Sequence, residues 1–492
     1  MPPEAVPRPE DLDRPRQGPG FDAVRTEFRL PAQFPPAVLA EAARVAGLPP
    51  GPGPDRIDAT HIPLVTIDPP GAKDLDQALG VQRRDGGYRV HYAIADLGAV
   101  VEPHGPLDIE VRRRGQTAYL PDGSVPLHPP VLSEGIASLL PDGPRAAVLW
   151  RIDTDADGEP VEVQLQRAVV RSQARLDYAG VQADVNSADP ERLHPALAAL
   201  PELGPLRRAL AVRRGAIELE LPEQEVHPDG NGGWTVQVRR RTDVEVWNAE
   251  ISLLTGMVAA RMMLDAGIGL LRTLPAPDPA AVAQLRCTAR DLGVAWPDGA
   301  TAAEVLAALP RDIPYALALR RAATTLLRGA GYAAFDGAAV PPPDDPGHGG
   351  IGAPYAHVTA PLRRLVDRFG SEVCLALSSG TGVPEWLRTA LPTLPDIMAA
   401  SDLRAGKVER ACVDRTEAAL LAHRVGEDLE VVVLRPDPGE VYLVDPPVLA
   451  RCSGPLRAGR LARVRLVEAD PASGRVSFAA SESDAAEISP DS

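Results

Sequence analysis

The spacing of apolar residues changes character several times along the chain, and each change predicts a different kind of element. Residues 1–20, "MPPEAVPRPEDLDRPRQGPG", are proline-rich and polar, so little apolar surface could offset the entropy of ordering them, and disorder is expected. "FPPAVLAEAARVAGLPP" opens with prolines, runs through alanines and ends on Gly47 and a proline pair, which is the pattern of one short helix. A small helical module is therefore expected over 21–56. From Ile57 the period becomes two. "HIPLVTID" and "YRVHYAIAD" read as strands, the second after an Asp-Gly-Gly turn, and "AAVLWRIDTDADGEPVEVQLQRAVV" reads as a long hairpin around "DADG". From about residue 193 the period turns helical, predicting helices over Pro195–Arg214, Glu245–Ala266, Pro279–Leu292, Pro314–Gly329 and Pro361–Leu377. Strands followed by helices predict an α+β domain over 57–420. Over 425–481, short strands broken by Gly, Pro and Asp turns predict an OB-type β-barrel, and 482–492 reads as an acidic tail.

At 492 residues the chain can bury a large core and hold more than one domain. The net charge of −16 argues against a protein that coats nucleic acid with its whole surface, but it leaves room for a local basic channel. Nearly all basic residues are arginine, with Lys73 and Lys407 the two lysines; clusters such as 112–114, 239–241 and 363–364 suit either such a channel or solvated faces. Four widely separated cysteines with no CxxC pair argue against disulfides and structural zinc, and fit a reducing cytoplasm. No apolar run approaches the ~20 residues of a membrane span, and the N-terminus lacks the pattern of a signal peptide.

The candidate chemistry lies in "TIDPPGAKDLDQAL". The apolar strand "LVTID" delivers Asp68 at its end, "PPGA" must turn, and Asp74 and Asp76 share a face if the chain is extended there. Three converging carboxylates repel each other in a low-dielectric cleft, and a hard divalent cation such as Mg²⁺ or Mn²⁺ relieves that repulsion. Such an ion polarises phosphodiesters and generates hydroxide. A solvated, Asp-rich loop is the other reading of the same residues.

"TIDPPGAKDLDQAL" resembles the signature of the ribonuclease II/R family, the RNB-domain exoribonucleases. Further blocks follow in family order: "YAIADLGAVVEPHGPLDIEVRRRGQTAYLPDGSVPLHPPVLSEGIASL", "VRSQARLDYAGV", "RRGAIELELPE" and "YAHVTAPLRRLVDRF". "KVERACVDR" then resembles the closing Glu-Arg helix of these proteins. The resemblance spans 57–420 and implies an RNB catalytic domain, a mixed sheet with packed helices. It implies hydrolytic, processive, Mg²⁺-dependent degradation of single-stranded RNA from the 3′ end to nucleoside 5′-monophosphates, by a monomer in the cytoplasm. Carried over by position, Asp68, Asp74 and Asp76 match the metal-site aspartates. Arg363 matches the arginine that holds phosphate, with Arg364 beside it as a further RNA contact. Tyr119 matches the aromatic stacked near the 3′ end, Tyr178 and Glu250 the pair that reads the ribose, and Glu409 the glutamate beside the last nucleotides. For Tyr119, Arg363 and Glu409 the residue alone equally allows a core aromatic, an ion-pair partner and a surface acid.

The chain also departs from the family pattern. Gln77 stands where the family has a fourth aspartate, removing one negative charge while keeping a carbonyl oxygen. Leu219 stands where an aromatic usually clamps bases, and Ala360 where a serine usually precedes the proline. Asp96 and Asp367 match other family acids and are candidate replacements for the missing carboxylate. The ~55 residues before Ile57 are too few for a cold-shock domain, so a more open channel tolerant of structured RNA is expected. A protein that binds RNA and no longer cuts it is the alternative function. "DTDADG" imitates the start of a calcium loop, but its twelfth position is Gln164 and its context a hairpin. "GHGGIG" lacks the Lys-Ser/Thr of a phosphate loop. His357 supports the site at most.

Overall fold

The structure, a computed structural model, describes residues 21–48, 56–310, 313–337 and 347–480. The expected disordered segment 1–20 and acidic tail 482–492 lie outside the described residues. At the centre is a seven-stranded mixed sheet in the order β1-β8-β7-β4-β3-β2-β9. Its strands are β1 (Ile57–Asp58), β2 (Leu64–Ile67), β3 (Gln77–Arg84), β4 (Gly87–Ala95), β7 (Arg145–Asp155), β8 (Pro160–Val170) and β9 (Ser172–Leu176). A separate small hairpin is made by β5 (Ala118–Leu120) and β6 (Gly123–Val125). Antiparallel pairing carries the middle of the sheet, while β1 joins β8 and β2 joins β9 in parallel. Burial is deepest in the middle of the sheet, where Trp150 and Tyr92, paired across β7 and β4, are both buried, while the first half of β8 is largely exposed.

Helices pack the other side of this core. The helix Asp243–Ala266 starts on Thr242, whose hydroxyl accepts from the Glu245 amide, and ends on Gly267 in the left-handed conformation. Gly256 lets this helix approach the segment around Tyr355 so closely that a Cβ there would meet the Tyr355 ring at 2.1 Å. The helix expected over Pro361–Leu377 begins later, at Leu365, because residues 361–364 form the turn that presents Arg363 to the site. That expected over Pro314–Gly329 ends at Ala323 in a short 3₁₀ turn.

Before the sheet come α1 (Phe21–Glu27) and α2 (Pro36–Ala46); the apolar pattern pointed to the second alone. After the long helix Leu394–Leu421, five strands over 428–480 close into a barrel with a core of its own that includes Val431, Val464, Leu466 and Phe478. "DADG" is a hairpin turn, with Asp155 Oδ1 accepting from the amides of Asp157 and Glu159. Asp153 is buried among Arg84, Arg89 and Arg151, which leaves no calcium loop there.

Candidate active site

The acid loop is built by a strand end and an anchored return. The buried strand β2 hands over Asp68, whose amide donates to the carbonyl of Leu176 on β9 (3.1 Å). Gly71, at φ +85°, closes the turn over 69–72. The chain then returns extended. Leu75 plugs into the core while Ser138 pins the backbone on both sides of Asp74: its hydroxyl donates to the Lys73 carbonyl (2.6 Å) and accepts from the Leu75 amide (2.9 Å). The Asp76 carbonyl accepts from the Ala95 amide as β3 begins.

Asp76 is buried, and its two oxygens face the arginine turn. Oδ1 accepts from the Leu362 amide (2.7 Å), and Oδ2 lies 3.4 Å from Arg363 Nε. Burial pushes its carboxyl up to about 8 despite the relief from Arg363 and that amide. Asp68 is pushed up to about 7, first by burial and then by Asp74, against the pull of Arg363 and Arg175. Tyr119, half-exposed on the β5–β6 hairpin, donates its hydroxyl to Asp74 Oδ2 (3.1 Å). The Tyr178 hydroxyl accepts from Asn248 Nδ2 (3.2 Å) and feels both Asp68 and Arg363. Asp68, Asp74, Asp76, Arg363, Tyr119 and Tyr178 are thus brought together.

The donor set suits a hard cation. Asp68 Oδ2 and Gln77 Oε1 are buried with no hydrogen-bond partner, a costly state for an acceptor that an oxygen-seeking dication would relieve. Even so, among the described residues no three His, Cys, Asp or Glu side chains are gathered closely enough to enclose a metal. The expected convergence of three carboxylates is therefore partial. The oxygens fit such an ion, and their closed shell is not formed by the carboxylates alone.

The expectations for Arg364, Asp367 and Asp96 need correction, and the other candidates take their places around them. Arg364 was expected at the RNA, but it is drawn inward by Asp367, which holds its Nε and Nη2. The same Asp367 accepts from the Ala360 amide (2.7 Å), so this acid shapes the turn and is not a spare metal ligand. Asp96 is likewise spent, clamped by Arg56 and Arg167. Glu250 is buried, and its Oε2 has no hydrogen-bond partner. Two positions beyond Asn248 on one helix it is rotated by about 200°, towards Arg207 and Arg214. Glu409 stands exposed on the long helix, with no recorded bond to the acid loop. Leu219 packs beside the Ile217–Leu285–Leu319 cluster and lines a cavity of about 390 Å³ with Arg239–Arg241. His357 is buried, bonded through Nδ1 to the Tyr332 hydroxyl (2.9 Å) and held well below its usual pKa by burial and by Arg364 and Arg272. Asn248 and Ser138 are the residues that sequence reading missed. Neither carries a charge or a motif of its own, and only the fold aims them.

A profile of the RNB domain matches residues 56–369. The chain belongs to the RNB-domain family. The RNase II-type exonuclease C-terminal S1 domain matches residues 427–481, which hold the barrel. Ribonuclease R of Escherichia coli (strain K12) is 32% identical over 63% of this chain and 39% of its own length. Ribonuclease R of Vibrio parahaemolyticus is 28% identical over 84% of this chain and 51% of its own. The chain thus spans about two fifths to a half of these curated relatives. In fold, the RNB domain and barrel resemble Mycoplasma genitalium RNase R in complex with ribose-methylated single-stranded RNA (TM-score 0.83, 20% identity, 94% of this chain and 77% of that one). They also resemble yeast Ssd1, described as a pseudonuclease (TM-score 0.64, 15% identity, 81% and 50%).

Proposed function

We propose that this RNB protein is a 3′→5′ exoribonuclease that hydrolyses single-stranded RNA processively to nucleoside 5′-monophosphates with Mg²⁺, with Mn²⁺ as a substitute. The observation that carries the reading is the meeting of Asp68, Asp74 and Asp76 with Arg363, between two tyrosines, in a chain of this family. Asp68, Asp74 and Asp76, with the Gln77 carbonyl, would hold the cation, which supplies phosphodiester polarisation and a water acidic enough to attack. Arg363, with its side chain half-exposed, offers a guanidinium fork to the scissile phosphate and to the charge that develops on it. Tyr119 supplies a stacking face for the terminal base. Tyr178, steadied by Asn248, presents its hydroxyl towards a ribose, where the 2′-OH distinguishes RNA from DNA. Glu409, exposed on the long helix, would contact the last nucleotides. We further propose that the protein works as a monomer in the cytoplasm. No described helix is long and apolar enough to cross a membrane.

A second reading, an RNA binder with impaired chemistry, is favoured by one observation. Gln77 brings an uncharged oxygen where the site needs charge, and the carboxylates alone do not enclose a metal. One experiment separates the two: 5′-labelled single-stranded RNA followed in time with Mg²⁺, using wild type, Asp76→Asn and Gln77→Asp. The enzyme reading expects shortening from the 3′ end that slows by about 100-fold or more in Asp76→Asn. A wild type that only binds while Gln77→Asp cuts would establish the second reading instead.

A further inference from the structure

The β5–β6 hairpin that carries Tyr119 is joined by only three residue pairs: Ala118 with Val125, Tyr119 with Ser124 and Leu120 with Gly123. A two-stranded ribbon of that size is at best marginally stable alone, so its pose must come from what it touches. Side chains alternate across it. Tyr119 turns to Asp74 on one side, and Leu120 is buried on the other.

Leu120 enters an apolar cluster with Phe21 and Val24 of α1 and with Val408 and Cys412 of the long helix Leu394–Leu421. Phe21 also meets the Trp234 ring edge-on at 5.2 Å, which ties in the strand pair over 223–239. The polar contacts repeat the pattern. Arg25 grips both oxygens of Asp122 at the hairpin turn (2.8 and 2.7 Å), and Glu27 meets Arg415 of the long helix (2.6 Å). Val408, in the same cluster, is the chain neighbour of Glu409. A helix of seven residues is not stable by itself, so α1 forms only by seating on the elements it joins.

We propose that α1 is a positioning element for the RNA 3′ end. Through Phe21, Val24 and above all the Arg25–Asp122 pair, it fixes the Tyr119 hairpin against the helix that carries Glu409. The role rests on the reading of Tyr119 as the face on which the terminal base stacks. Phe21 and Val24 supply the burial. The Arg25–Asp122 pair is partly solvated and contributes little to stability, but its forked geometry sets the angle of the hairpin. Its loss should therefore loosen the grip on the terminal base without unfolding the protein.

The test uses the full chain as wild type, Arg25→Ala, and the exchanged pair Arg25→Asp with Asp122→Arg. Hydrogen exchange over 118–125 is read in the RNA-free protein, quenching of a 3′-terminal 2-aminopurine in bound RNA, and the thermal midpoint. Arg25→Ala is expected to speed exchange of the hairpin about tenfold, reduce the quenching about threefold and leave the midpoint in place, and the exchanged pair should restore both signals. Unchanged exchange with normal quenching overturns the brace alone. So does faster exchange with unchanged quenching, or a loss that the exchanged pair does not restore and that comes with a lower midpoint. A wild type that fails to quench the terminal base overturns the reading of Tyr119, and the role assigned to α1 falls with it.

Discussion

At the scale of the residue, the site depends on side chains that never touch a substrate. Ser138 is fully buried and holds the acid loop by two hydrogen bonds, one accepted and one donated. Ser138→Ala leaves the Leu75 amide and the Lys73 carbonyl without their partner inside the protein. The expected loss is about 1–3 kcal/mol of stability, together with weaker cation binding as Asp74 and Asp76 lose their anchored backbone. Urea unfolding and Mn²⁺ titration of the RNA-free variant would measure the two effects, and intact values for both would remove Ser138 from this account. The three aspartates were legible as a cluster of acids beside an apolar strand, one that a solvated loop would also explain, and Arg363 only through the resemblance of the motif around it. The partners of Glu250 and Arg364 were not. A two-residue step along a helix reverses its direction, and an arginine next to Asp367 by three positions turns to its neighbour before it can reach solvent.

At the scale of the element, most long helices and strands followed from period and caps, while α1 and the β5–β6 hairpin left no trace. Seven and eight residues are too short for a period to show, and their stability is borrowed from contacts distant in sequence. The same dependence appears where the long helix meets the barrel. Glu417 is buried there, and its Oε1 accepts from Gln224 Nε2 and from the Leu449 amide (3.1 Å). Burial raises its carboxyl from 4.5 to about 7 in spite of those donors. The folded protein thus keeps a proton that the unfolded chain has lost between about pH 4.5 and 7. The contribution of Glu417 to stability should fall as pH rises across that window, by about 3 kcal/mol, on top of the like contributions of Asp68 and Asp76. Glu417→Gln keeps an acceptor without the charge and should flatten this slope, gaining over wild type at pH 8 but not at pH 4.5. Denaturation midpoints across the window give the answer. Equal slopes in the two proteins would mean that Glu417 titrates normally.

At the scale of the whole molecule, the net charge of −16 and the proposed RNA substrate look opposed. The structure sharpens that opposition, because many of the described arginines are already paired with carboxylates of the protein. Arg239 is shared among Glu225 and Glu245, Arg241 meets Glu223, and Arg113 and Arg114 both hold Glu110, so a cluster of arginines in the sequence was a poor guide to a basic surface. Arg363 differs: its one recorded carboxylate, Asp76, is 3.4 Å away, and its side chain is half-exposed. If RNA is held by a few such local charges, binding must still be sensitive to salt despite the acidic total, because counterions leave the strand wherever a phosphate is neutralised. Each neutralised phosphate of a single strand contributes a slope of about −0.7 in log K against log salt, so a strand held at about four phosphates loses about 50-fold between 50 and 200 mM. Arg363→Ala should shift that slope by about one phosphate and weaken all sequences alike. Fluorescence anisotropy of a labelled oligomer, with wild type and Arg363→Ala over that salt range, measures both quantities. A slope near zero would mean that the strand is held by its bases and not its backbone. A channel that grips phosphate would then be the wrong picture, and the two tyrosines would have to carry the binding.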